Sequence, residues 1–306
     1  MKIGDRNYGR RELERYIGSI AQLGGTRHYQ LTEGNAKGTA AIDFNTGSGL
    51  CFTVLPDRGL DIPAASYQGV NLVYHTPNGE ANPAFYNPQG SAWLRTFFGG
   101  LLTTCGLTYL GPPGNDGGGG TWASRPLQYN YFGCKKSPFT ILYHINCGFP
   151  LLDETSELVL TAVAREPYDS ASKAGLASFN RFTEPMRGFT EQNFFHTMAG
   201  DAHGFCHAAI INRGLAGGLG LYIKFERDSL PYLSEWKMMG EGDYAVGIEP
   251  SNTKCMNRSD LRKQGLLPFL EPCETREIRL EIGVLSGDAE IRACIERTKA
   301  WVGGSR

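Results

Sequence analysis

Two short segments far apart in the chain each deliver one proton-transfer group. Residues 141–153 (ILYHINCGFPLLD) carry His144, and residues 244–252 (YAVGIEPSN) carry Glu249. Both read as strands. Alternation puts Ile141, Tyr143 and Ile145 on one face of the first and Leu142, His144 and Asn146 on the other. In the second, Tyr244, Val246 and Ile248 share a face, while Ala245, Gly247 and Glu249 share the opposite one. Glu249 therefore has the smallest available neighbours, which leaves room for a ligand. Pro250 biases Glu249 toward an extended conformation and so fixes where its carboxylate points. An imidazole and a carboxylate on the strand faces of a cleft make an acid/base pair without a metal or cofactor, and no cofactor is expected. The ordinary alternatives are a satisfied core histidine and a surface glutamate. Asn146 on the His144 face and the Gly/Ala neighbours of Glu249 weigh toward the cleft.

Five further side chains are candidates for holding a ligand's hydroxyls. Arg58 lies in residues 54–62 (VLPDRGLDI), where Asp57 and Arg58 either form a hairpin-turn ion pair or stand at the rim of a polar site. Arg95 precedes the Gly99-Gly100 pair, and its planar fork suits paired oxygen acceptors or a surface carboxylate. Trp236, in residues 230–237 (LPYLSEWK), is a stacking platform for a sugar or a core residue. Asn146 shares the His144 face. Asn252 ends the run GIEPSN.

The cluster Asp201, His203, Cys206 and His207 offers metal-ligating types. In a strand, however, His203 and His207 would lie ~13 Å apart, and Gly204 argues against a helix, so no metal site is expected. The glycine-rich stretches 111–120 and 214–220 lack both the P-loop Lys-Ser/Thr and the dinucleotide-binding pattern.

The elements that must position these groups are mostly strands. Forty glycines in 306 residues are about twice the usual share, which favours many turns. Strand patterns fall at 39–44, 50–55, 61–67, 70–74, 140–146, 157–163, 206–212, 219–225, 244–248 and 276–285, punctuated by Gly, Pro and Asn. A helix is expected over 10–23, with Leu13, Ile17, Ile20 and Leu23 on one stripe. Another is expected over 288–301, with Asp288 as N-cap and Ile291, Cys294, Ile295 and Thr298 facing inward. This pattern predicts one all-β domain over 1–306, a large antiparallel β-sandwich with short helices near the termini.

The net charge of −1 excludes an electrostatic nucleic-acid or membrane-surface partner. No run of ~18 apolar residues predicts a membrane span, and the charged first residues lack an apolar signal core. Eight cysteines without a Cys-x-x-Cys spacing predict reduced thiols and a cytoplasmic location.

Four stretches together carry a resemblance: 54–62 (VLPDRGLDI), 93–107 (WLRTFFGGLLTTCGL), 137–153 (SPFTILYHINCGFPLLD) and 230–252. The chain resembles aldose 1-epimerase-like proteins of the galactose mutarotase-like superfamily, in a branch mostly described as a domain of unknown function. The resemblance implies a mutarotase-type sandwich that binds a small sugar in a cleft on one sheet. It also implies His144 as general acid, Glu249 as general base and Arg95 as a substrate-binding arginine. The two catalytic groups are expected on opposite sides of the sugar. One departure stands out. The branch normally has a His-Gly motif and several strands between the Gly-Leu-Thr-Tyr-Leu-Gly segment and Ser137. The chain passes directly through 111–137, an atypical junction that leaves sheet edges on which a homodimer could form. The expected function is cofactor-independent interconversion of sugar anomers by acid/base ring opening. The alternatives are a non-catalytic carbohydrate-binding protein, and an isomerase or lyase acting on a keto-sugar or phosphosugar, with Arg58 and Arg95 supplying the cations.

Overall fold

The computed structural model describes residues 2–3, 6–107, 109–114, 116 and 136–304. Near the N-terminus, strands β1 (Gly25–Gln30), β2 (Ala40–Asn45), β3 (Leu50–Leu55), β4 (Asp61–Tyr67) and β5 (Val70–Asn71) form an antiparallel meander in chain order. Among the strands that follow are β6 (Thr103–Leu107), β7 (Thr140–Gly148), β8 (Glu157–Leu160), β9 (Ala162–Pro167), β10 (Gln192–Met198), β11 (Phe205–Asn212), β12 (Leu219–Glu226), β13 (Tyr232–Met239), β14 (Tyr244–Ser251) and β15 (Leu280–Ser286). They build a six-stranded sheet in the order β9-β10-β13-β14-β7-β6 and a four-stranded sheet in the order β8-β11-β12-β15.

Alternation explains why the two larger sheets stack. Ile145 and Cys147 of β7, Leu233 of β13, and Val246 and Ile248 of β14 project from one face of the six-stranded sheet. They meet Leu158 of β8, Ile210 of β11 and Leu221, Ile223 and Phe225 of β12 in one buried cluster. Each such side chain contributes ~1.5–3 kcal/mol by leaving water, so the core fixes which face of β7 and β14 is turned away from it. Beyond the four-stranded sheet, helix α2 (Asp288–Gly304) packs Ile291, Cys294 and Ile295 on Ala209, Ile211 and Leu285, the stripe expected from the sequence. Asp288 is its first residue.

The meander is tied to the six-stranded sheet by the bridges Ile62 to Leu102, Val73 to Cys147 and His75 to Gly99. Gly99 and Gly100 make this approach possible. Both have positive φ, and a Cβ on either would stand 2.5 Å from the Tyr74 carbonyl or 2.6 Å from that of Ile62.

The helix expected over 10–23 is a correction. Only α1 (Arg10–Leu13) is α-helical, and a 3-10 turn follows at Ile20–Gln22. Ser19 and Gln22 cap that turn reciprocally, which restarts the chain rather than continuing the first helix. Ile20, placed on the inner stripe by periodicity, is 63% exposed. Within the expected junction at 111–137, residues 115 and 117–135 lie outside the described residues.

Candidate active site

The two segments that carry His144 and Glu249 are neighbouring strands. The register that pairs Leu142 with Ser251 and Ile145 with Ile248 sets His144 directly beside Glu249. On the far side of β14, Glu249 pairs with Ser234 of β13, which pairs with Phe195 of β10. On the far side of β7, His144 pairs with Thr103. One row of residues thus crosses five strands, on the face that the core leaves uncovered.

Phe195, Ser234, Glu249 and His144 of that row form the floor of a cleft of about 350 Å³ whose lining also includes Trp93, Phe97, Tyr168, Glu191, Trp236 and Cys255. The volume lies within the ~300–1,000 Å³ usual for small-molecule sites. His144 Nε2 is 3.1 Å from Glu249 Oε1, with side chains 15% and 5% exposed. The expectation of a sugar gripped from opposite sides is therefore corrected. The two groups stand side by side, because adjacent strands of one sheet carry them.

Gly247 makes their contact possible. A Cβ there would lie 2.4 Å from Glu249 Oε1 and 3.2 Å from His144 Cε1. Phe97 packs on the imidazole at 5.2 Å between ring centres, and Trp236 meets it at 5.9 Å.

Burial dominates the electrostatics. Loss of water pushes Glu249 up to about 8, and the nearby charge of Glu191 pushes the same way. Burial pushes His144 down to about 4, against a smaller upward pull from Asn146. Near neutral pH the pair therefore holds one proton and no net charge. Glu249 Oε1 and His144 Nδ1 are both buried without a hydrogen-bond partner, although unpaired buried polar atoms are costly.

Of the candidate ligand-holding residues, Trp236 lines the cleft, its indole Nε1 donating to Glu191 Oε2 at 2.8 Å. The others lie outside it. Arg58 is buried and fully engaged, donating to Asp61 Oδ2 at 3.3 Å, the Ala81 carbonyl at 2.8 Å and the Thr96 carbonyl at 3.1 Å. Asp57 accepts from the Ala40 amide. Arg95 sits in a 3-10 turn, Gly90–Thr96, with an exposed side chain. Three residues per turn direct Trp93 and Leu94 at the cleft and Arg95 away from it. Asn146 Nδ2 donates to the carbonyls of Gly100 and His144. Asn252 exchanges hydrogen bonds with the backbone of Ile141 and Phe139. Arg58 and Arg95 thus form no cation cluster at the cleft, and the phosphosugar expectation built on them loses its footing.

At the 201–207 cluster, His207 Nε2 is 3.5 Å from Asp201 Oδ2 and its ring packs on Trp301 at 4.5 Å. Cys206 points into the main core on the opposite strand face.

Glu191, Asn193, Tyr168 and Cys255 were missed from sequence.

Comparison with known proteins agrees with this architecture. The pattern of a family described as a domain of unknown function, DUF4432, matches residues 36–127 and 130–284, and the chain belongs to that family. The fold is that of the galactose mutarotase-like proteins. It is similar to the crystal structure of a provisionally named aldose 1-epimerase from Klebsiella pneumoniae subsp. pneumoniae, with a TM-score of 0.84 at 20% identity, over 96% of this chain and 95% of that one. It is also similar to a galactose mutarotase-like protein from Clostridium acetobutylicum, with a TM-score of 0.52 at 12% identity, over 87% of this chain and 99% of that one. At these identities the likeness concerns the fold. No curated protein matches the chain. No helix among the described residues is long and apolar enough to cross a membrane.

Proposed function

We propose that the cleft binds a monosaccharide and that Glu249 and His144 interconvert its anomers. One observation carries this reading: a buried imidazole and carboxyl 3.1 Å apart on the floor of an aromatic-lined cleft. Ring opening requires one group to take the anomeric hydroxyl's proton and another to give one to the ring oxygen. A pair holding a single proton supplies one of each and adds no net charge to a dry site.

Burial rests that proton on Glu249. Hydrogen bonds from sugar hydroxyls to the Glu249 carboxylate would favour its charged form and pass the proton to His144. Glu249 then acts as base on the anomeric hydroxyl and His144 as acid on the ring oxygen. Rotation of the freed carbonyl and closure on its other face complete the cycle, with the proton inventory restored. Trp236 and Trp93 supply ring faces for the apolar side of a sugar.

Exchange NMR on a panel of free aldoses tests the reading. The protein is expected to speed anomer exchange above the buffer rate on at least one sugar. Glu249→Gln is expected to lower that rate by ~10²–10⁴-fold while still binding the sugar. Saturable binding without exchange on any sugar would favour a carbohydrate-binding protein instead, and a chemically new product would favour an isomerase or lyase.

A further inference from the structure

The cleft's charge balance carries a statement about its ligand. Its lining holds two carboxyl groups, Glu191 at the mouth and the protonated Glu249 below, and no Lys or Arg among the described residues. Lys254 and Arg258 flank the lining residue Cys255, but they are engaged elsewhere, with Glu166 at 2.7 Å and Asp116 at 2.8 Å. Glu191 is exposed, and among the described residues its carboxylate is bonded to the Trp236 indole, through Oε2. Its second oxygen is left for a donor in the cleft. Deeper in, Glu249 Oε1 is 95% buried as part of its side chain and has no hydrogen-bond partner.

Around these acids stand Trp93, Phe97, Tyr168, Phe195 and Trp236. His144 and Tyr74 meet the Trp236 ring at 73° and 64°, so neither stacks flat on it. Aromatic faces beside the Glu191 carboxylate, with no Lys or Arg in the described lining to balance it, attract a cation through both the ring quadrupole and the charge. They oppose a phosphate or a sugar acid, which would enter a low-dielectric cleft against like charge.

We propose that the cleft takes a sugar bearing a positive charge, an amino sugar, and that Glu191 on its Trp236 support is the residue that selects it. This rests on the reading that the cleft binds a sugar, and it does not need that sugar to be turned over. Glu191 holds the ammonium at the mouth, beside the indole, while the anomeric end reaches His144 and Glu249.

The test is equilibrium binding, followed by tryptophan fluorescence, of three ligands: an aldose, its 2-amino-2-deoxy counterpart and its 6-phosphate. It is run at a pH of about 6, below the ordinary range of an aliphatic amine. The amino sugar is expected to bind on the order of tenfold more tightly than the parent aldose, the size a desolvated cation–aromatic contact supplies, and the phosphate more weakly than either. Glu191→Gln is expected to bring amino sugar and parent to parity. Glu191→Asp, which restores the charge, is expected to recover most of the preference. Equal binding of aldose and amino sugar by the native protein, or tighter binding of the phosphate, overturns the proposal and leaves the epimerase reading standing. Selective amino-sugar binding without anomer exchange does the reverse. Failure of all three ligands to bind overturns both.

Discussion

At the residue scale, the His144–Glu249 pair explains why each group has its unusual affinity for protons. Neither has a compensating charge, so burial drives both toward their neutral forms. The competent pair holds one proton. Below about 4 His144 takes a second, and above about 8 Glu249 loses the first. The predicted pH profile of kcat/KM is a plateau bounded near those values, measurable by exchange NMR across a buffer series; a single limb centred near 6 would contradict it.

The same burial has a stability consequence. The folded-state value of Glu249 lies above its ordinary 4.5. The folded chain therefore holds the proton more tightly, and stability falls as pH rises from about 4.5 through about 8. Glu249→Gln removes that penalty. Its Tm, read by scanning calorimetry, should rise above the native value at pH 8 and differ little at pH 4.5. Gly247 belongs to the same scale. Gly247→Ala pushes a methyl into the space of Glu249 Oε1. A shift of that carboxylate by about 1 Å can cost on the order of 10²-fold in rate, so the variant should fold, bind sugar and exchange slowly. Native exchange in this variant would show that the carboxylate position is not critical.

At the element scale, the six-stranded sheet holds a second buried imidazole–carboxyl pair, on its core side. His196 of β10 and Glu235 of β13 meet at 2.8 Å, both fully buried. Arg165 of β9 donates to His196 Nδ1 at 3.1 Å, so His196 offers its Nε2–H to Glu235. The network links three adjacent strands under the aromatic wall of the cleft. Removing one member of a buried pair strands the other, at about 3–5 kcal/mol. Glu235→Ala should lose stability of that order in urea unfolding; a loss under about 1 kcal/mol would mean that water or rearrangement replaces the carboxylate.

This network also shows what the sequence conveys and what it hides. Strands β3, β4 and β7 were legible because one apolar face alternates with a mixed one. The faces of His144 and Glu249 followed from that alternation alone. β10, with the sequence QNFFHTM, buries an imidazole on its core face and so blurs the period. All six residues of β1 are exposed, leaving no apolar face to recognise. That His144 and Glu249 are neighbours depends on strand pairing across about a hundred residues, which no local pattern records. Glu191 lies just before β10 and reaches the cleft only through Trp236, another long-range pairing. Arg58 looked like a ligand arginine because its turn is polar, yet its acceptors are the nearby Asp61 carboxylate and backbone carbonyls of two distant loops.

At the scale of the whole molecule, Arg58 is where the N-terminal meander meets the loops that support the cleft. Its guanidinium binds carbonyls near residues 81 and 96 and lies 4.9 Å above the Phe98 ring. Arg58→Lys cannot reproduce the planar fork. It is expected to lower Tm by several degrees while leaving sugar affinity within about twofold; lost affinity with native Tm would return Arg58 to the ligand. The meander, the two larger sheets with the core between them and a short run of glycines thus hold the five-strand row in place, with the cleft on the face the core leaves open. The most direct test of that arrangement is the anomer-exchange rate of His144→Gln, Glu249→Gln and the double variant on the best sugar of the panel. Two groups passing one proton should fail together, so each single variant should lose about as much rate as the double. Either single variant exchanging at the native rate would contradict the account.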